Sequence, residues 1–160
     1  MAADYKDDKE KAALAAGRAI RDGDLSPENL RIIYRWKARN RGKSRLTQNS
    51  DPEIRDALRL ALCAKTPRSA IAVLTGLYGI NTPVASAVMT AIRPKTYTVL
   101  DFRALEALGN PTAARSVPFY LSYLNYCTDL ASRWKMPLRQ LDRALWQWSA
   151  ARSAGKRQKA

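Results

Sequence analysis

Apolar positions recur at three- and four-residue spacing along most of the chain, and Pro or Gly interrupts them at short intervals. That pattern predicts a series of short amphipathic helices. Lys9–Arg21 is Ala-rich and predicts a first helix ending near Gly23. Ser26-Pro27-Glu28 has the form of an N-cap followed by Pro in the first turn, with Leu30, Ile33 and Tyr34 on the apolar side of a helix running to about Asn40. Gly42 breaks that helix. Ser50-Asp51-Pro52-Glu53 is a second start signal, leading into an Ile54, Leu58, Leu62 stripe. Thr66-Pro67 starts a helix with Ile71 and Leu74 inward, and Thr82-Pro83 one with Val84, Val88 and Ile92 inward. Asp101–Leu108 reads as a short helix ending at Gly109. Two longer helices come next, one over 112–134 or starting only at Pro118, the other over 137–153, with Met136-Pro137 between them. Only Tyr97-Thr98-Val99-Leu100 reads as extended. The fold class expected is an all-α compact helical bundle. Its expected parts are an acidic helical segment over 1–24, one helical domain over 25–153 and a basic tail over 154–160.

Composition narrows the chemistry. The chain has 160 residues, 28 Lys and Arg against 14 Asp and Glu, and a formal net charge of +14. The hydrophobic share of 46% is that of a globular chain, so the charge does not come from a disordered basic tail. There is no histidine, which removes an imidazole base and His metal ligands. Cys63 and Cys127 are too few for a Fe–S cluster or a Cys₄ zinc site, and are expected as reduced thiols. No metal or organic cofactor is expected. No run of about 18 apolar residues predicts a membrane span. The charged start, Asp4 to Glu10, does not have the form of a signal peptide. These features lead to an expected cytoplasmic, nucleoid-associated monomer.

The charge is also unevenly placed. Seven acids precede residue 30, whereas residues 31–46 hold Arg31, Arg35, Lys37, Arg39, Arg41, Lys43 and Arg45 and no acid. No carboxylate stands between Asp56 and Asp101. An acidic head and a basic body suggest a face made for phosphates, and double-stranded DNA is the expected partner. Lys37, Arg39, Arg41, Lys43 and Arg45 are the expected strand contacts.

Residues 66–101 carry the most information. Two helices are joined by Leu77-Tyr78-Gly79-Ile80-Asn81-Thr82. Gly79 suits a positive φ, and Asn81 suits either a left-handed position or an N-cap. Such a turn presents backbone N–H groups at a helix N-terminus, a phosphate site formed by Gly79, Ile80, Asn81 and Thr82. On these residues alone an ordinary αα-hairpin is an equal alternative.

Together with the residues up to Asp101, this turn resembles the helix-hairpin-helix/Gly-Pro-Asp superfamily of DNA glycosylases. The family pattern is Leu-Pro-Gly-Val-Gly, a helix with small residues, and a hydrophobic extended step ending in Asp. Leu77-Tyr78-Gly79-Ile80-Asn81 is similar to the first part, with Tyr78 in place of Pro and Asn81 in place of the second Gly. Ala85-Ser86-Ala87 and Tyr97-Thr98-Val99-Leu100-Asp101 match the rest. The resemblance covers residues 66–109 and implies a compact member that excises a damaged or modified base, in repair or in removal of modified phage bases. It makes Asp101 the catalytic carboxylate. Chemistry agrees, because cleaving an N-glycosidic bond develops positive charge on the sugar that a carboxylate stabilises while orienting or deprotonating a water. Asp101 also reads as an N-cap of the helix after it, and the two roles are compatible. Members that also cut the backbone carry a Lys just after the hairpin, where this chain has Pro83, so the resemblance implies a monofunctional enzyme. A non-catalytic DNA-binding protein is the alternative, and an RNA-binding helical protein a third.

A flipped base needs an aromatic or apolar slot. Tyr34, Trp36, Tyr97, Tyr120 and Tyr123 are the expected pocket residues, with Phe119, Tyr126, Trp134, Trp146 and Trp148 as further aromatics. At helical spacing any one of these rings reads more readily as core than as pocket. Asn49, just after the basic run, is the expected polar residue at the gap left by the base. Asp142 is expected in a surface pair with Arg139 or Arg143, beside a buried Leu145 and Trp146.

Overall fold

A computed structural model describes residues 2–39 and 41–157, with side chains over 8–39 and 41–155. Asn40, the expected end of the second helix, and residues 158–160 of the expected tail lie outside them. In chain order the helices are α1 (Ala2–Arg21), α2 (Pro27–Ala38), α3 (Lys43–Leu46), α4 (Asp51–Cys63), α5 (Pro67–Thr75), α6 (Thr82–Ile92), α7 (Phe102–Ala107), α8 (Val117–Arg133) and α9 (Leu138–Arg157). No strand occurs among the described residues, so the fold is all-α.

The start signals act as their side chains require. Ser50 and Glu53 form a reciprocal capping box at α4. Thr66 Oγ1 accepts the Ser69 N–H at 3.2 Å, Asn81 Oδ1 the Val84 N–H at 3.1 Å, and Ser116 Oγ the Phe119 N–H at 3.3 Å. Ser26 differs: its side chain caps nothing, and its own N–H donates to Asp24 Oδ1. The Ser116 cap decides between the two expected starts of α8 in favour of the later one. Helix α3 has no counterpart in the periodicity, since it is four residues long and only Leu46 is buried.

Helix α6 is the centre of the molecule. Ten of its eleven residues are buried, and it packs against α1, α2 and α5. An all-round apolar helix of this kind is stable only when neighbours cover every side. On α1, Ala13, Ala16 and Ile20 face inward, so the expected N-terminal segment contributes to the same core. Gly17 lies between them, and a Cβ there would stand 2.1 Å from the carbonyl oxygen of Ala91. The missing side chain therefore lets α1 lie directly on the α6 backbone. On α4 the inward stripe is Ile54, Ala57, Leu58 and Ala61, while Leu62 is only half-buried.

Residues 97–100 are buried and belong to no helix or strand. Side chains satisfy their backbone instead. The Leu100 N–H donates to Ser86 Oγ on α6 at 2.9 Å. From α8, the Tyr120 hydroxyl donates to the Thr98 carbonyl at 2.9 Å and the Tyr123 hydroxyl to the Val99 carbonyl at 3.3 Å. A buried backbone group needs some partner, and here the helices supply it. The segment ends at Asp101, whose position is thus fixed by α6 and α8 together.

Candidate nucleic-acid interface and carboxylate site

The turn between α5 and α6 is built around Gly79, at φ +80. A Cβ there would meet the Leu46 backbone nitrogen at 2.9 Å, so packing demands glycine as well as conformation. Asn81 is extended, at φ −93 and ψ 174, and serves as the cap of α6 rather than as a left-handed residue. Ile80 donates its N–H to the Leu77 carbonyl at 3.2 Å and buries its side chain in the core. The N–H groups of Gly79, Asn81 and Thr82 have no acceptor among the described residues. Asn49 buttresses the turn from below. Its Oδ1 accepts the Tyr78 N–H at 2.8 Å, and its Nδ2 donates to the Leu46 and Tyr78 carbonyls at 2.9 Å each. The side chain expected at a base-sized gap is therefore committed to holding the turn, at 8% exposure.

The end of the basic run, at Arg45 and Leu46, lies against the same turn. The Tyr34 hydroxyl donates to the Arg41 carbonyl at 2.6 Å, and a Cβ on Gly42 would stand 2.8 Å from that hydroxyl. This anchors the loop after α2. Farther along, Arg45 Cβ lies 3.3 Å from the point where a Gly79 Cβ would be. Arg39, Arg41, Lys43 and Arg45 are exposed, and none has an acid partner among the described residues. Arg31 and Arg35 differ, being paired with Glu28 and, for Arg31, with Asp51 at 3.2 Å. Cations without an acid partner, of which Arg45 lies against the turn, and unpaired N–H groups are the kinds of group that phosphate oxygens engage.

Lys37 leaves this set. It turns inward, and its Nζ donates to Asp101 Oδ2 at 2.6 Å. Its side chain is 14% exposed, that of Asp101 28%. Asp101 caps α7, with Oδ1 accepting the Arg103 N–H at 2.9 Å. Burial works to raise the carboxyl pKa, but the Lys37 charge and hydrogen bond, with the N–H and charge of Arg103, outweigh it and hold the pKa below the ordinary value. The group is an ionised carboxylate, partly open to solvent, at the end of a rigidly docked segment.

Asp142 is a second carboxylate here, and it is not at the surface as expected. It is 4% exposed, with Oδ2 paired to Arg139. Arg139 also reaches Glu10 of α1 at 2.8 Å and lies over the Trp36 ring at 5.3 Å. Arg143 pairs with Glu10 rather than Asp142, at 2.8 Å. Leu145 and Trp146 are half-buried, with Arg103 over the Trp146 ring at 5.3 Å. Burial pushes the Asp142 carboxyl up to about 6. Arg139 opposes that shift, the nearby Asp101 charge adds to it, and Lys37 opposes it.

Four of the expected pocket aromatics are core. Tyr34, Tyr97, Tyr120 and Tyr123 are all less than 5% exposed. Tyr34, Tyr120 and Tyr123 spend their hydroxyls on backbone carbonyls. Phe119 is half-buried, whereas Tyr126, Trp134 and Trp148 are exposed, Trp148 beneath Arg152 at 5.0 Å. Trp36 lines an open groove of about 250 Å³ with Ile32, Arg35 and Arg39. The partners sequence reasoning missed are Ser86, Arg139 and Asp142. Lys37 and Asp101 are 64 positions apart, and no local pattern signals their pairing.

Comparison with family models, curated proteins and solved structures gives no match. Among the described residues no helix is long and apolar enough to cross a membrane, and no cluster of three His, Cys, Asp or Glu is placed to hold a metal.

Proposed function

We propose that the protein is a DNA N-glycosylase that binds duplex DNA through the α5–α6 turn and the loop after α2, and hydrolyses the bond to a flipped, modified base with Asp101. In this reading the turn acts as a helix-hairpin-helix element. The Gly79, Asn81 and Thr82 N–H groups and the Arg39, Arg41, Lys43 and Arg45 side chains hold the strand without reading its bases. The observation that carries the proposal is the Asp101 carboxylate, kept ionised and part-exposed at the end of a segment clamped from two helices. As the C1′–N bond breaks, its electron pair leaves with the base and positive charge develops on the sugar. Asp101 stabilises that charge and takes a proton from the water whose oxygen bonds to C1′. This step needs a carboxylate and water, and no cofactor.

One observation favours a second reading. Both oxygens of Asp101 are engaged in the free protein, as an N-cap and ion-pair partner would be in a purely DNA-binding protein. Incubation with duplexes carrying alkylated, deaminated, oxidised and hypermodified bases separates the two. The glycosylase leaves abasic sites and releases a base identifiable by mass spectrometry, and Asp101→Asn abolishes both while retaining DNA binding. Tight binding with no release from any duplex establishes the non-catalytic protein. Tighter binding to structured RNA than to duplex DNA overturns both.

A further inference from the structure

Two open grooves of about 250 Å³ each differ in charge. The groove beside Tyr78 is lined by Glu53 and Asp56, which disfavour a phosphate. The other lies between α1 and α2, and its walls are Lys9, Ala12, Ile32, Arg35, Trp36 and Arg39. No carboxylate is among these six residues, and neither Lys37 nor Asp101 lines the groove. Trp36 is held ready for stacking. The Arg139 guanidinium lies over its ring at 5.3 Å, and Arg139 is paired with Glu10 at 2.8 Å and with Asp142. A ring fixed in this way loses little freedom when a second flat group packs on it. Ile32 and Ala12 add apolar wall beside it. Every nucleobase has a flat face that stacks on an aromatic ring, whatever its identity.

Arg39 supplies the charge. Arg35 is paired with Glu28, whereas Arg39 is exposed and has no acid partner among the described residues. Its backbone is unusual as well, with φ +56 and ψ −116. Glycine adopts that conformation freely, and an L side chain adopts it under strain. Arginine therefore occupies, under strain, a position that glycine would fill without it, and its side chain lines the groove. Arg39 also opens the series Arg39, Arg41, Lys43 and Arg45, so the groove is continuous with the loop after α2. We propose that the α1–α2 groove binds an unpaired nucleotide of a DNA strand running along that loop, with the base on Trp36 and a phosphate on Arg39. The proposal rests on reading the loop as a strand contact and is independent of any role for Asp101. Continuity with the loop favours a strand over a free mononucleotide, since only a strand also engages the cations beyond Arg39. The protein therefore binds a duplex with an unpaired extension better than the same duplex with blunt ends.

The test compares a blunt duplex with the same duplex carrying a single-stranded extension that contains 2-aminopurine. Affinity is read from the anisotropy of a dye at the far end, and stacking from quenching of the 2-aminopurine. The wild type binds the extended duplex about tenfold tighter than the blunt one and quenches the probe. Trp36→Leu removes most of that preference and leaves the probe bright. Arg39→Gly makes the slope of log Kobs against log salt on the extended duplex shallower by about 0.7, and does not lower Tm because the backbone strain is relieved. It decides the question even where Trp36→Leu does not fold. A preference that persists in Trp36→Leu, or an unchanged slope in Arg39→Gly, overturns the proposal. So does deoxyadenosine monophosphate that competes as strongly as the extension, which identifies a mononucleotide site instead. Wild-type binding that is equal on the two duplexes overturns this proposal alone, whereas no binding to either overturns it together with the reading of the loop as a strand contact. Base release, or its absence, moves none of these readouts.

Discussion

Gly17→Ala sets two physical effects against each other with opposite signs. Inside a helix, Gly→Ala stabilises by about 1 kcal/mol, because alanine loses less backbone freedom on folding. At Gly17 the added Cβ would lie 2.1 Å from the Ala91 oxygen, 2.2 Å from its carbonyl carbon and 2.8 Å from the Ile92 nitrogen. These are backbone atoms of the most buried helix, with no rotamer to change, so α1 must lift from α6 by about 1 Å to restore contact distance. Overpacking of this kind costs about 3 kcal/mol, the upper end for an added methyl in a packed core. The net loss is about 2 kcal/mol, which for a chain of this size lowers Tm by about 4–8 °C. Gly155 on α9 is the matched control, as nothing stands within 4 Å of its Cβ direction. There the propensity gain acts alone, and Gly155→Ala holds or raises Tm. Thermal and urea unfolding followed by circular dichroism measure both variants. A Gly17→Ala protein as stable as the wild type would refute the close α1–α6 contact.

Ser86→Ala leaves the buried Leu100 N–H without its acceptor and costs about 1–3 kcal/mol, with faster hydrogen exchange at that amide than at other core positions. Replacing Arg39, Arg41, Lys43 and Arg45 together with Gln makes the slope of log Kobs against log salt shallower by about 3–4 on duplex DNA, and an unchanged slope shows that DNA binds elsewhere. Asp101 and Asp142 give stability opposite pH dependences. The Asp101 pKa is depressed on folding, so its contribution is present above the unfolded value and is lost as the pH falls through the folded one; Lys37→Met reduces that loss. The Asp142 pKa rises on folding to about 6, so stability falls as the pH rises from the unfolded value toward it. Urea titrations of Asp142→Asn at pH 5 and pH 7.5 lack that fall, and a fall equal to the wild type's would mean that another group causes it.

The helices were legible because their signals are local. Ser50, Thr66 and Asn81 each precede a Pro and an apolar stripe, and each caps the helix it announces. The break in helix at 97–100 was legible too, but not what holds that segment, since Ser86, Tyr120 and Tyr123 come from helices before and after. Helical spacing favoured core over pocket for any one tyrosine, and the packing places Tyr34, Tyr97, Tyr120 and Tyr123 in the core. Lys37 reads as one more cation in an acid-free run, and its inward turn depends on a carboxylate 64 positions away. Asp142, flanked by Arg139 and Arg143, has the local pattern of a solvated ion pair. Its burial results from the docking of α9 on α7 and α8, which periodicity does not report.

The docking of residues 97–100 by hydroxyls, without a ladder, bears on refolding. A strand in a sheet keeps its shape through its neighbour even when distant packing loosens. Here the segment has no such neighbour, and α6 and α8 must both be in place before Asp101 has a defined position. During refolding, the geometry around the carboxylate therefore requires both α6 and α8 to be docked, not merely helical. A partly assembled chain can carry nearly all of its helix and still have no site.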